Sequence, residues 1–134
     1  MGLFSGKRPN DLGVKGGRLK PPPRSPNAVS SQSEDLSHAI APLTYTSSAQ
    51  HAMETLVKIV ETTPRTRIIA RTADYLYAEY SSALMGFVDD VEFWFEPNSK
   101  IIHARSASRL GHSDFGVNRA RIEDVRQRFT PSGA

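Results

Sequence analysis

The residues with the greatest chemical capacity fall in one stretch, RSASRLGHSDFGVNR, at positions 105–119. Arg105, Arg109 and Arg119, with Arg121 just beyond, surround Gly111, Gly116, Ser106 and Ser108 at the expected start of a helix. A guanidinium offers a planar fork of N–H donors, and the free backbone N–H groups of a helix start add more. Such a loop suits a phosphate or a carboxylate, and Arg105, Ser106, Ser108, Arg109, Asn118 and Arg119 form the expected anion- or partner-binding set. The plainer alternative is that Arg109 and Arg119 pair with Asp89, Asp90 or Asp114 and fasten the loop to the sheet edge.

Other chemistries are less complete. Asp89, Asp90, His103, His112 and Asp114 supply oxygen and nitrogen ligands for a metal-assisted hydrolysis, yet their spacing matches no ligand motif and the chain has no Cys. No metal or other cofactor is therefore expected. Asp89 and Asp90 are adjacent at the start of an expected strand and point to opposite faces, so they do not form an acid and base pair. Asp114-Phe115-Gly116 reproduces the magnesium-binding string of kinases without a phosphate loop or catalytic loop. Asp114 is read as a charge clamp, Phe115 as a core plug and Gly116 as a turn. Ser106 and Ser108 have neither a GxSxG elbow nor a visible base. His38 and His51 have no companions in the sequence. The expectation is a non-catalytic binding or assembly module, with a metal-assisted hydrolase as the alternative.

The elements that must position these residues follow from periodicity. In SSAQHAMETLVKIVETTP, Met53, Leu56, Val57 and Val60 share one helical face. Ser47 or Ser48 can cap the start, and Pro64 ends the helix. From Arg67 the period changes to two: 67–73 and 75–82 read as adjacent strands. VDDVEFWFEP puts Val91, Phe93 and Phe95 on one side and Asp90, Glu92, Trp94 and Glu96 on the other, the pattern of a half-buried strand. The turn at 97–100 leads to a strand at 101–108, and closure about Asn98 and Ser99 sets the register. Phe95 then faces Ile102 and Phe93 faces Ala104 toward the core. Trp94 faces His103 and Glu92 faces Arg105 on the open side, where Asp90 is expected to be solvated. Asp89 opposes Ser108 on the core side, as a partner for an arginine or an anchor for the loop. His103 is expected to pack on Trp94, and His112 to sit in an exposed turn. A second helix at 118–129 carries Ile122, Val125 and Phe129, with Asn118 as its N-cap. The fold class is α+β: a four-stranded antiparallel meander with two helices on one face.

Charge divides the chain differently. Residues 1–33 hold six basic side chains against Asp11, a net of +5, and the remaining 11 basic and 13 acidic residues give −2. With Gly16-Gly17, Pro21-Pro22-Pro23 and several serines, 1–33 reads as an extended or disordered basic tail, with Val29 as a buried anchor, ahead of a single domain at 34–134. Apolar content of 38% is consistent with such a tail. The tail could touch nucleic acid or anionic lipid, but no aromatic residue interleaves its charges after Phe4, and a solvated, solubilising arm is the plainer reading. Tyr75, Tyr77 and Trp94 could stack bases on the sheet, but Glu79, Asp90, Glu92 and Glu96 share that surface and repel phosphates, so nucleic acid is not expected there. A protein partner or a small anionic ligand is the expected class. No apolar run reaches the roughly 20 residues of a membrane span, the N-terminus lacks the apolar core of a signal peptide, and Gly6 stands where an N-myristoylation signal needs Ser or Thr. A reducing, bacterial-type cytoplasm is the expected location.

SPNAVSSQ, FVDDVEFWFEP and RSASRLGHSDFGVNRARIE together resemble the bacterial and plastid family known as domain of unknown function fourteen ninety-nine. The likeness covers about residues 20–130 and is most specific from Arg105 to Arg119. It implies no activity, cofactor or catalytic set. The family often carries Cys where Ala28 stands, so the resemblance implies no thiol role for this chain.

Overall fold

The structure, a computed structural model, describes residues 5–83, 86–111 and 113–133. Strands β1 (Ala28–Ser30) and β2 (Leu43–Thr44) precede helix α1 (Ala49–Glu61), then come β3 (Thr66–Arg71), β4 (Tyr75–Ser81), β5 (Val88–Phe95), β6 (Ile101–Ser108) and helix α2 (Val117–Phe129). The sheet order is β1-β6-β5-β4-β3, all antiparallel, and β2 also pairs with β6. The protein is therefore α+β with a six-stranded sheet among the described residues, not the expected four. The two additions are three and two residues long, too short to show a period. They take the outer edge of β6, which the meander alone would have left unpaired.

The local expectations for the hairpin hold in detail. β5 and β6 pair Phe95 with Ile102, Trp94 with His103, Phe93 with Ala104, Glu92 with Arg105 and Asp89 with Ser108. Asn98 takes the left-handed conformation in the turn, φ 57°, which asparagine tolerates at lower cost than most residues. Ser48 caps α1, its hydroxyl accepting the His51 N–H at 3.1 Å. Leu56, Val60, Phe93, Ile102, Ile122 and Phe129 meet in one core between the helices and the sheet. Each such side chain contributes about 1.5–3 kcal/mol through removal from water.

The second face of the sheet is covered. Residues 5–24 cross it as a strap that turns tightly at Gly16-Gly17, where Lys15 and Arg18 exchange backbone hydrogen bonds. Arg8 Nε donates to Glu79 at 2.6 Å, the Gly13 N–H donates to Glu92 Oε2 at 2.8 Å, and Leu19 is buried. Arg105 Nε donates to the Lys20 carbonyl at 2.8 Å. Every residue of β5 is consequently buried, and the half-exposed strand suggested by alternation is corrected. Asp90, Glu92 and Trp94 do alternate with the core residues, but they face the strap instead of water. Among the described residues, no helix is long and apolar enough to cross a membrane.

Candidate anion site

Strand geometry divides the arginine-rich stretch between two faces. Successive residues of β6 point to opposite sides of the sheet, so Ser106 and Ser108 face the helices while Arg105 and Arg109 face the strap. Arg105 and Arg109 line a hollow of about 340 Å³ together with Lys20, Asp90 and Ser108, but Arg119 and Arg121 are not among its walls.

On the helix side, Asn118 is fully buried and joins three segments. Its Oδ1 accepts from Ser106 Oγ at 2.5 Å, and its Nδ2 donates to the Asn27 carbonyl, Ser108 Oγ and Asp114 Oδ2 at 3.1, 2.9 and 2.7 Å. Asn118 is not the N-cap. Gly116 holds that position with φ 83°, and Asp114 caps from the loop, accepting from the Gly116 and Asn118 N–H groups at 2.8 and 3.0 Å. Burial pushes the Asp114 carboxyl up, but these hydrogen bonds together outweigh it and hold the group below the usual carboxylate range. Arg121 Nη1 donates to Asp89 at 2.6 Å and its guanidinium lies 4.8 Å from the Tyr80 ring. Among the described residues Arg119 meets no carboxylate: it donates to the carbonyls of Ala39 and Ser37 at 2.7 and 3.3 Å. Phe115, expected as a core plug, is 95% exposed, because the left-handed loop residue points away from the sheet.

On the strap side, carboxylates and arginines alternate across the strands. Glu79 lies between Arg67 and Asp90 in the strand register, and Tyr77 between Ala70 and Glu92. Arg109 grips Asp90 with two bonds, Nε to Oδ2 at 2.9 Å and Nη2 to Oδ1 at 2.8 Å, and also bonds Glu79. The paired Asp90 raises the Arg109 pKa further above its ordinary value, against the opposing effect of burial. The Arg8 bond, aided by Arg109, holds Glu79 below the usual carboxylate range despite burial. Asp90 is 2% exposed, and its expected solvation is corrected. Tyr77 donates to it at 2.5 Å and Tyr75 to Glu92 at 2.6 Å. Burial first, then these carboxylates, pushes both phenols up and keeps them donors. Glu92 is fully buried and Arg105 is 3% exposed, with Arg105 Nη1 3.7 Å from Glu92 Oε1.

Beside this network lies a hollow of about 730 Å³ lined by Arg8, Arg65, Arg67, Glu79, Ser81 and Arg109, with Ser5, Gly6 and Val88 among its other walls. Arg8 and Arg109 share Glu79 there. Arg65 and Arg67 are exposed, and among the described residues neither forms an ion pair or a side-chain hydrogen bond. Arg65 takes φ 56°, the left-handed region, in the turn after Pro64. Its carbonyl accepts the Ser81 N–H at 2.9 Å, extending the β3 and β4 pairing to the hollow.

Of the residues expected to bind an anion, only Arg109 reaches this hollow. Arg105 is buried under the strap, and Ser106, Ser108, Asn118 and Arg119 lie on the other face. His103 stacks on Trp94 at 5.8 Å between ring centres, as expected, and bonds Ser31 and Glu96 at 3.0 and 3.1 Å. His112 lies outside the described residues. Asp89 and Asp90 point to opposite faces and each is held by an arginine. His38 does have companions: it is buried, 3.0 Å from Asp35 and 2.9 Å from the Ser25 carbonyl. Sequence reasoning missed Arg65, Arg67, Glu79 and Ser81 as a group, although the Arg-Thr-Arg spacing opposite Glu79 was a readable signal. Arg8 had none, being 71 residues from its partner.

Residues 18–129 match a family described as protein of unknown function, DUF1499. No curated protein and no solved structure matches the chain. The matched span contains Arg65, Arg67, Glu79, Ser81 and Arg109, and Arg8 precedes it. Since the match takes in all of both helices and the whole sheet, the chain belongs to the DUF1499 family.

Proposed function

We propose that this protein is a non-catalytic binding module whose hollow beside β3 and β4 holds an anion. The carrying observation is the charge imbalance of that hollow: Arg65 and Arg67 stand without carboxylate partners next to Arg8 and Arg109, which already satisfy Glu79. Guanidinium forks suit oxyanions, because each can donate two parallel N–H bonds to one ligand group. Basic residues also guard exposed sheet edges against pairing with other chains. That role accounts for charge at β3 but not for two guanidiniums lining a concave wall.

Isothermal titration calorimetry with sodium phosphate and sodium citrate at fixed ionic strength tests the reading. Binding of either anion, weakened at least tenfold in the Arg65→Ala/Arg67→Ala double variant, is the expected outcome. Equal affinity in the double variant would remove the hollow as the site.

A further inference from the structure

We infer that the ligand of this hollow is a small phosphate monoester, a doubly charged phosphate carried on an organic group; this rests on the anion-binding reading above. Charge sets the head. The arginines not already committed to Glu79 and Asp90 are Arg65 and Arg67, so the surplus on the wall is two positive charges. A phosphate monoester carries about −1.5 to −2 near pH 7, because its second pKa lies near 6. A carboxylate or a phosphate diester carries one charge per group and leaves one guanidinium unmatched.

Geometry agrees with that head. A carboxylate is planar and is filled by one guanidinium fork, whereas the tetrahedral phosphate presents oxygens in different directions and accepts two forks together. Ser81 adds a hydroxyl on the same wall, where it makes no side-chain hydrogen bond with the described residues.

Size sets the rest of the molecule. The hollow of about 730 Å³ lies within the range of roughly 300–1,000 Å³ typical of sites that enclose whole organic ligands. A bare phosphate would leave most of it filled with water. Away from the guanidiniums the wall includes Gly6, Thr66, Gly86 and Val88, and its one carboxylate, Glu79, is held by Arg8 and Arg109, which leaves room for a neutral organic group.

Calorimetry on the full chain with phenyl phosphate, inorganic phosphate and phenyl sulfate separates the contributions. Inorganic phosphate shares the double charge without the organic group, and phenyl sulfate shares the shape with a single charge. Phenyl phosphate is expected to bind at least tenfold more tightly than either. Its affinity should fall as pH drops from 7.5 to 5.5 and the second proton is taken up. Arg67→Ala should weaken it at least tenfold, Arg67→Lys less, and Arg119→Ala on the opposite face not at all. Equal binding of the three probes would overturn the monoester assignment and leave general anion binding standing. Failure of all three, and of phosphate and citrate, would overturn both. Tight phenyl phosphate binding that survives Arg67→Ala would place the ligand elsewhere and overturn the assignment too.

Discussion

At φ 56° Arg65 occupies a region in which the Cβ of an L-residue crowds the backbone, at a cost of about 1–2 kcal/mol. Glycine would adopt the same turn without that clash, though it loses roughly 0.5–1 kcal/mol of chain entropy on folding. The positive φ is thus tolerated where a guanidinium faces the hollow, a pattern common at binding sites. Arg65→Gly is expected to leave thermal stability unchanged or raised by up to about 1 kcal/mol while weakening phosphate binding, measured by differential scanning calorimetry and titration of the same sample. A stability loss with unchanged affinity would give Arg65 a purely structural role. Only part of this was readable in advance. Arg109 was identified as a ligand-facing or carboxylate-paired arginine, and it is paired. Its contribution to the hollow depends on Arg8 and Glu79, neither of which is close to it in sequence.

The strap is the element whose stability is most sensitive to conditions. Its anchors are polar, and docking it removes Glu92, Asp90 and Arg105 from water, a desolvation that offsets much of what Leu19 burial gains. Glu79 is one anchor, and its carboxyl is held below the usual carboxylate range by Arg8 and Arg109. A carboxylate with a depressed folded-state pKa contributes stability that is present above its unfolded value, about 4.3, and is lost as pH falls through the lower folded value. Strap docking should therefore weaken below about pH 4. Trp94, the only tryptophan, lies beneath Gly13, Val14 and Gly17 and reports the change. Its fluorescence should shift to the red on acidification before the main unfolding transition, and Glu79→Gln, which mimics the protonated carboxyl, should show the red-shifted emission already near pH 7 and a weaker dependence on pH. A single transition shared by Trp94 fluorescence and far-ultraviolet circular dichroism would show instead that the strap and the sheet unfold together. Helices α1 and α2 and the β5–β6 hairpin were legible because their periods and turn residues act locally. The strap was not, since a Pro- and Gly-rich chain docks only where a finished surface offers carboxylates and carbonyls to it.

Across the whole molecule the sheet acts as a partition. The helix side carries the apolar core and the Asn118 hub, and the strap side carries the buried ion pairs and the hollow. Asn118→Ala strands the Ser106 hydroxyl in a buried site, at a cost of about 1–3 kcal/mol, and removes the Nδ2 bonds to Ser108, Asp114 and the Asn27 carbonyl, which keeps the Ser108 N–H. Denaturant unfolding should show a loss of about 2–4 kcal/mol. Phosphate affinity, measured where the variant is still folded, should change less than twofold. A large loss of affinity would mean that the two faces are coupled and that the loop of 105–121 belongs to the site after all.

What the chain dictates alone is alternation, hairpin register, helix faces and the inward direction of Phe93, Phe95 and Ile102, because each rests on residues a few positions apart. Alternation also separates Arg105 from Ser106, since neighbours on a strand cannot share a face, but it does not reach Arg119 and Arg121 on α2. Which arginines gather was settled by the assembled tertiary structure. Sheet order brings β3 beside β4, and the strap carries Arg8 back over them. Burial of β5 on both faces has the same origin: whether a polar face meets water depends on what the rest of the chain lays across it.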